Sequence, residues 1–131
     1  MNTKSAFPIE VVLVVAAQET LPDKKHLNKF LVLRNEDEFS LPSVFLAPGQ
    51  KTKELAAKLL FDYTGVEEFW LPIFHLGLYE SDGGISVLYY VVMHEPTRIR
   101  VDGSGWYTYE ELNNVTKSTL EIISEAVCRK M

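Results

Sequence analysis

Residues Leu41 to Val66 run LPSVFLAPGQKTKELAAKLLFDYTGV, a turn followed by a helix-forming segment. Pro48-Gly49 is a turn signal. From Thr52 to Tyr63 the residues are mostly good helix formers, with neither Gly nor Pro inside, so a helix is predicted there. Gly65 lies just past its end, where a helix commonly closes on a left-handed glycine. The start is less sharply marked, because Thr52 with Leu55 three residues on makes no capping box.

Upstream, Ile9 to Ala17 is an almost unbroken apolar, β-branched run, the pattern of a strand buried on both faces. Gln18 to Asn28 is polar and contains Pro22 and Asp23, so it reads as a loop. Lys29 to Arg34 (KFLVLR) is a second strand. Asn35 to Glu38 is a turn, and Phe39 to Leu41 a short third strand stopped by Pro42. Downstream, Phe69 to Glu80 and Ile85 to His94 are two long strands. Ser81-Asp82-Gly83-Gly84 joins them as a hairpin, since glycine takes φ > 0 cheaply. Glu95 to Gly105 reads as a loop with a short strand at Arg98 to Val101. Trp106-Tyr107 opens the last segment, Thr108 before Glu110-Glu111 marks a helix start, and Lys117 to Lys130 is an amphipathic helix. Strands, helix, strands, helix in that order make a mixed sheet with helices packed on it, in one domain over residues 1–131.

Composition narrows the function. A chain of 131 residues buries about two-thirds of its extended surface and needs no staple. With 47% hydrophobic and 24% charged residues it is not a disordered or fibrous chain. Its net charge is −5 and its 13 Lys and Arg are scattered, which argues against direct nucleic-acid binding. Cys128 is the single cysteine, so neither an intramolecular disulfide nor a multi-cysteine zinc site is available. It reads as a small, at least half-buried side chain. The apolar run Val11 to Ala17 is too short to span a bilayer and lacks signal-peptide flanks, so a cytoplasmic, membrane-free protein is expected. His26, His75 and His94 have no short-spaced partner and read as structural or exposed. No nucleophile elbow, P-loop or dinucleotide fingerprint is present.

The Leu41 to Val66 segment resembles the signature of the Nudix (MutT-like) superfamily: Gly, five residues, Glu, seven residues, then R-E-U-x-E-E-x-G-U, with U a bulky aliphatic. Without gaps, the closing Gly falls on Gly65, the closing aliphatic on Val66 and the middle aliphatic on Leu60. Pro42 and Pro48-Gly49 match its usual proline and turn. The flanking strands, the hairpin, the Trp-containing segment and the last helix extend the likeness over nearly the whole chain. The resemblance implies a Nudix-type α/β/α sandwich, with a mixed β-sheet between helices. It also implies cleavage of diphosphate-linked substrates, with glutamates holding divalent cations.

The chemistry departs from that pattern, leaving a degenerate Nudix box. The first Gly is Val44, the first Glu is Gln50, the Arg is Lys58, the next Glu is Leu59, and the adjacent pair of Glu is Asp62 and Tyr63. Mg²⁺ takes oxygen ligands, usually carboxylates plus substrate phosphates, and activates the attacking water. Asp62 is the one acid left of that set. Val44 is also β-branched where glycine would permit φ > 0, so this loop should take another path. The expectation is therefore lost metal-dependent hydrolysis, no resident metal or cofactor, and a binding or interaction role. The alternative is a divergent hydrolase cleaving a nucleoside diphosphate-linked substrate. It would use Mg or Mn at Asp62 and a second acid from Glu54, Glu95 or Asp102. Glu54, Lys58 and Asp62 stand at i, i+4 spacing and read as exposed ion pairs, and Glu95 and Asp102 as solvated loop charges.

On a helical wheel the apolar arc of Thr52 to Tyr63 covers about 240°, against the roughly 100° that a surface helix needs. Leu59 and Tyr63 make the metal-ligand face oily. With Val44, Phe45, Leu46 and Phe61 they suggest a joint apolar surface. Either the Val44 to Leu46 loop folds over it, or it meets a partner. The expected partners are a nucleotide-like small molecule or a protein, a second copy of the chain included. Stacking groups for a nucleotide would come from Tyr63, Phe39, Tyr89, Tyr90 and Trp106.

Overall fold

The computed structural model describes residues 8–23, 26–36, 38–67, 70–81, 83–112 and 122–124. Their strands are β1 (Ile9–Thr20), β2 (His26–Asn35), β3 (Glu38–Ser40), β4 (Ser43–Phe45), β5 (Phe74–Ser81), β6 (Gly84–Met93) and β7 (Ser104–Thr108). The helix α1 spans Thr52–Thr64, and a 3₁₀ turn spans Tyr109–Glu111. All seven strands share one sheet in the order β3-β2-β1-β6-β5, with β4 also on β1 and β7 also on β2. β1 and β6 run parallel from Ile9↔Ile85 to Ala17↔Met93, while the remaining pairs are antiparallel. The sheet is therefore mixed, as expected.

The alternating side chains of β1 explain the layers. Val11, Leu13, Val15 and Ala17 join Leu55, Ala56, Leu59 and Leu60 of α1 in one cluster. Val12, Val14 and Ala16 point the other way, into a cluster with Phe30, Leu112, Ile122 and Ile123. Residues 122–124 form a helical turn, so helical segments cover both faces. This is an α/β/α sandwich. Each Val or Leu removed from water in β1 contributes about 1.5–3 kcal/mol, which makes this strand the centre of the fold. α1 ends as predicted, with Gly65 at φ 76 and its N–H donating to the Phe61 carbonyl over 2.8 Å.

Several expectations are corrected. Much of Gln18 to Asn28 is strand, not loop: the β1–β2 ladder runs from Ala16↔Phe30 to Thr20↔His26. Backbone pairing carries it there, and Lys29 pairs with Glu19 at 2.9 Å. β5 begins at Phe74, after Pro72, which has no N–H to give a ladder. Arg98 to Val101 is not a strand, whereas Ser104–Thr108 is, pairing with β2 from Lys29↔Thr108 to Leu33↔Ser104. Thr108 does start a helical segment with a full capping box, but it is a three-residue 3₁₀ turn. The helix expected at Lys117 to Lys130 lies outside the described residues except for 122–124. Cys128 lies outside them too. Among the described residues no helix is long and apolar enough to cross a membrane.

Candidate functional site

The region marked by the sequence lies where the β4–α1 loop and α1 cover one face of the sheet. Ser43–Phe45 takes the other path that Val44 demanded. It is extended and pairs with Glu10–Val12 of β1. Val44 avoids positive φ, which among the described non-glycine residues is found only at Glu36. Gln50 closes the next turn from both directions: its side-chain Oε1 accepts from the Ala47 N–H at 2.8 Å, and its own N–H donates to the Ala47 carbonyl at 3.2 Å. Gln50 therefore serves the loop. Thr52 then ties the start of α1 to β6 through a 2.7 Å hydrogen bond between its hydroxyl and that of Tyr89.

On α1 itself, Leu59 is only 6% exposed and belongs to the core. Tyr63 is half-buried against the same cluster. Burial, and secondarily the negative charge of Asp62, push its phenol above the usual tyrosine range. Lys58 and Asp62 form the expected exposed i, i+4 pair, at 2.8 Å. Glu54 is exposed and makes no ion pair among the described residues. Glu95 and Asp102 are exposed in the segment after β6 and are likewise unpaired. Among the described residues no three or more His, Cys, Asp or Glu side chains come together as a metal-holding group. A multi-metal diphosphate site needs several such oxygens, so the residues here do not fit one.

The joint apolar surface divides. Cross-strand neighbours share a face. Val44 lies opposite Val11, on the α1 side, while Phe45 lies opposite Glu10 and points to the other side. Leu46 packs half-buried into the α1-side core and Leu59 lies within that core, so Leu59 offers no contact surface. Phe61 stays 41% exposed on another edge of the helix. Of the stacking candidates, Phe39, Tyr89 and Tyr90 are buried and cannot receive a ligand ring. They are instead in contact with Tyr107, His75 and Phe74 respectively. Tyr63 and Trp106 remain half-open, the Trp106 indole donating to the Thr97 carbonyl at 2.8 Å.

Arg100 is the residue that sequence reading missed. Its N–H donates to the Tyr63 carbonyl at 2.8 Å, and its guanidinium lies 5.2 Å from the centre of the Phe61 ring. The same side chain passes Gly65, where an added Cβ would lie 3.1 Å from it. A cation at the C-terminal end of a helix is favoured by the helix dipole. No signal in the sequence singled it out, because its partners lie across the fold.

No family model matches the sequence. Nor does the search of curated proteins find a match. Solved structures do match. A mutT/nudix family protein from Listeria innocua superposes with TM-score 0.76 at 15% identity, over 95% of this chain and 94% of that one. The NUDIX domain of Shewanella oneidensis NrtR, complexed with ADP ribose, gives 0.72 at 16% identity, over 98% and 91%. The C-terminal domain of mouse MUTYH, in complex with human PCNA, gives 0.70 at 18% identity, over 94% and 89%. The chain has the Nudix fold.

Proposed function

We propose that this chain is a Nudix-fold binding module that has lost metal-dependent diphosphate hydrolysis. The carrying observation is the fate of the three substituted ligand positions. Leu59 is packed into the core, Tyr63 is an aromatic half-buried beside it, and Gln50 is spent on its own turn. Asp62 is left alone with Lys58. A single carboxylate does not gather the divalent cations that diphosphate cleavage requires, so the module works without metal or cofactor. Its setting is the cytoplasm.

The occupant is a nucleotide-like small molecule or a protein partner, a second copy included. The same fold supports both uses: the Shewanella domain is complexed with ADP ribose, and the MUTYH domain with PCNA. On this chain Tyr63 and Trp106 are the half-open aromatics for a small molecule, and Phe61 with Arg100 the exposed edge for a protein.

Calorimetric titration of Mn²⁺, with and without ADP-ribose, tests the reading. The expected result is no metal binding in either condition and an ADP-ribose response indifferent to chelator. Micromolar Mn²⁺ binding that ADP-ribose strengthens and Asp62→Ala abolishes would overturn it in favour of a divergent hydrolase built on Asp62. For a protein partner, sedimentation of the parent and of Phe61→Asp checks self-association at that edge.

A further inference from the structure

On the face of the sheet away from α1, a cavity of about 190 Å³ opens between the starts of β1 and β6. Pro8, Glu10, Phe45, Gly83, Gly84, Ile85 and Ser86 line it. The sheet register builds it. Glu10 of β1 lies directly between Phe45 of β4 and Ser86 of β6, so the three side chains form one row across three strands. The floor is fixed by the Ile85 N–H, which donates to the Pro8 carbonyl at 3.1 Å. Gly84 permits this close approach: a Cβ there would stand 2.3 Å from the Pro8 oxygen.

The chemistry of the row is one-sided. Glu10 is half-buried, and its carboxylate has neither ion pair nor hydrogen bond among the described residues. An unpaired carboxylate at the wall of a cavity attracts a cation that can also donate to it. Phe45 is 63% exposed beside it, presenting a ring of the kind that attracts cations. Ser86 adds a hydroxyl that can accept. An anion meets only the like charge of Glu10, and a purely apolar group leaves that charge unanswered. An ammonium group answers it, having three donors, a positive charge and an alkyl stem that can lie along the Phe45 ring.

We infer that this cavity binds an alkylammonium group, of lysine side-chain type, between Glu10 and Phe45. The site lies on the opposite face from α1 and does not depend on the loss of hydrolysis. The test follows the backbone amide signals of Gly83, Gly84 and Ser86 by NMR. The probes are n-butylammonium, a blocked Gly-Lys-Gly peptide, and blocked Gly-Gln-Gly as the neutral control. Both ammonium probes should move these signals and the control should not. Tighter binding of the peptide assigns the site to a protein lysine, and equal binding to a free amine. Glu10→Gln, near-isosteric, should weaken binding about tenfold by removing a charge-assisted bond. Phe45→Ala should weaken it roughly threefold. No movement at roughly 50 mM probe, far above a millimolar dissociation constant, would overturn the inference. So would unchanged binding by a folded Glu10→Gln variant.

Discussion

Leu59→Glu restores the carboxylate that the Nudix signature places on α1, and it should damage the protein without reviving a metal site. The side chain is 6% exposed, among Val11, Leu13, Leu55 and Tyr89. Removing leucine from such a position costs about 2–5 kcal/mol in large-to-small substitutions. Glutamate keeps two methylenes but adds a polar group, which costs a further 1–3 kcal/mol or so when unpaired. The sum is about 3–8 kcal/mol, against a total stability of about 5–15 kcal/mol for a domain. Urea unfolding followed by the fluorescence of Trp106, which packs on the same cluster, measures it. Burial raises the pKa of the introduced carboxyl in the folded state. The variant is then least impaired below the unfolded value near 4.3, and its deficit grows as pH rises through the folded value. Phe61→Ala is the control, because that ring is 41% exposed and its loss should cost about 1 kcal/mol. A Leu59→Glu protein within about 0.5 kcal/mol of the parent, insensitive to pH and binding Mn²⁺, would refute the reasoning.

Three further outcomes follow from the geometry. The Tyr63 phenol should ionise above the ordinary value near 10 in an ultraviolet titration, and Asp62→Asn should bring it part of the way back. Its stabilising contribution is complete below the unfolded value and lost as pH rises through the folded one, so Asp62→Asn shifts the alkaline unfolding limb. Gly65→Ala should cost roughly 1–2 kcal/mol in thermal unfolding, from the left-handed φ of 76, and Arg100→Ala in the same chain should not restore it, since the strain is in the backbone. The Glu111 carboxyl, held below its usual range by hydrogen bonds from the Thr108 backbone and then its side chain, should titrate closer to normal in Thr108→Ala by NMR. The parent loses this contribution as pH falls through the lowered value.

Periodicity and punctuation carried much of the fold. The unbroken apolar run of β1 announced a strand covered on both sides, and Gly65 announced the end of α1. What escaped was set by tertiary pairing. β4 has three residues and no alternation to show; it exists because β1 offers an edge at Glu10–Val12. β7 contains Gly105, a poor strand former, yet pairs with β2 through five residues. The site was half legible. The substituted ligand positions could be read off the sequence, and the Lys58–Asp62 pair follows from spacing alone. The helical wheel showed Leu59 and Phe61 as apolar but not which was covered, because the sheet decides that. Phe45 and Val44 separate to opposite faces because a strand turns each successive side chain over.

The parallel pairing of β1 with β6 has a consequence for the birth of the protein. Ile9 finds its partner in Ile85, 76 residues later in the chain. A ribosome adding about 5–20 residues per second leaves β1 waiting roughly 4–15 s before its neighbour is made. Throughout that interval one of the most oily, β-prone segments of the chain has no native partner on that edge, the condition under which nascent strands pair with the wrong molecule. Truncations ending before Met93 should therefore aggregate rather than fold. Synthesis rate and holdase chaperones, more than final stability, should govern how much of this protein a cell recovers.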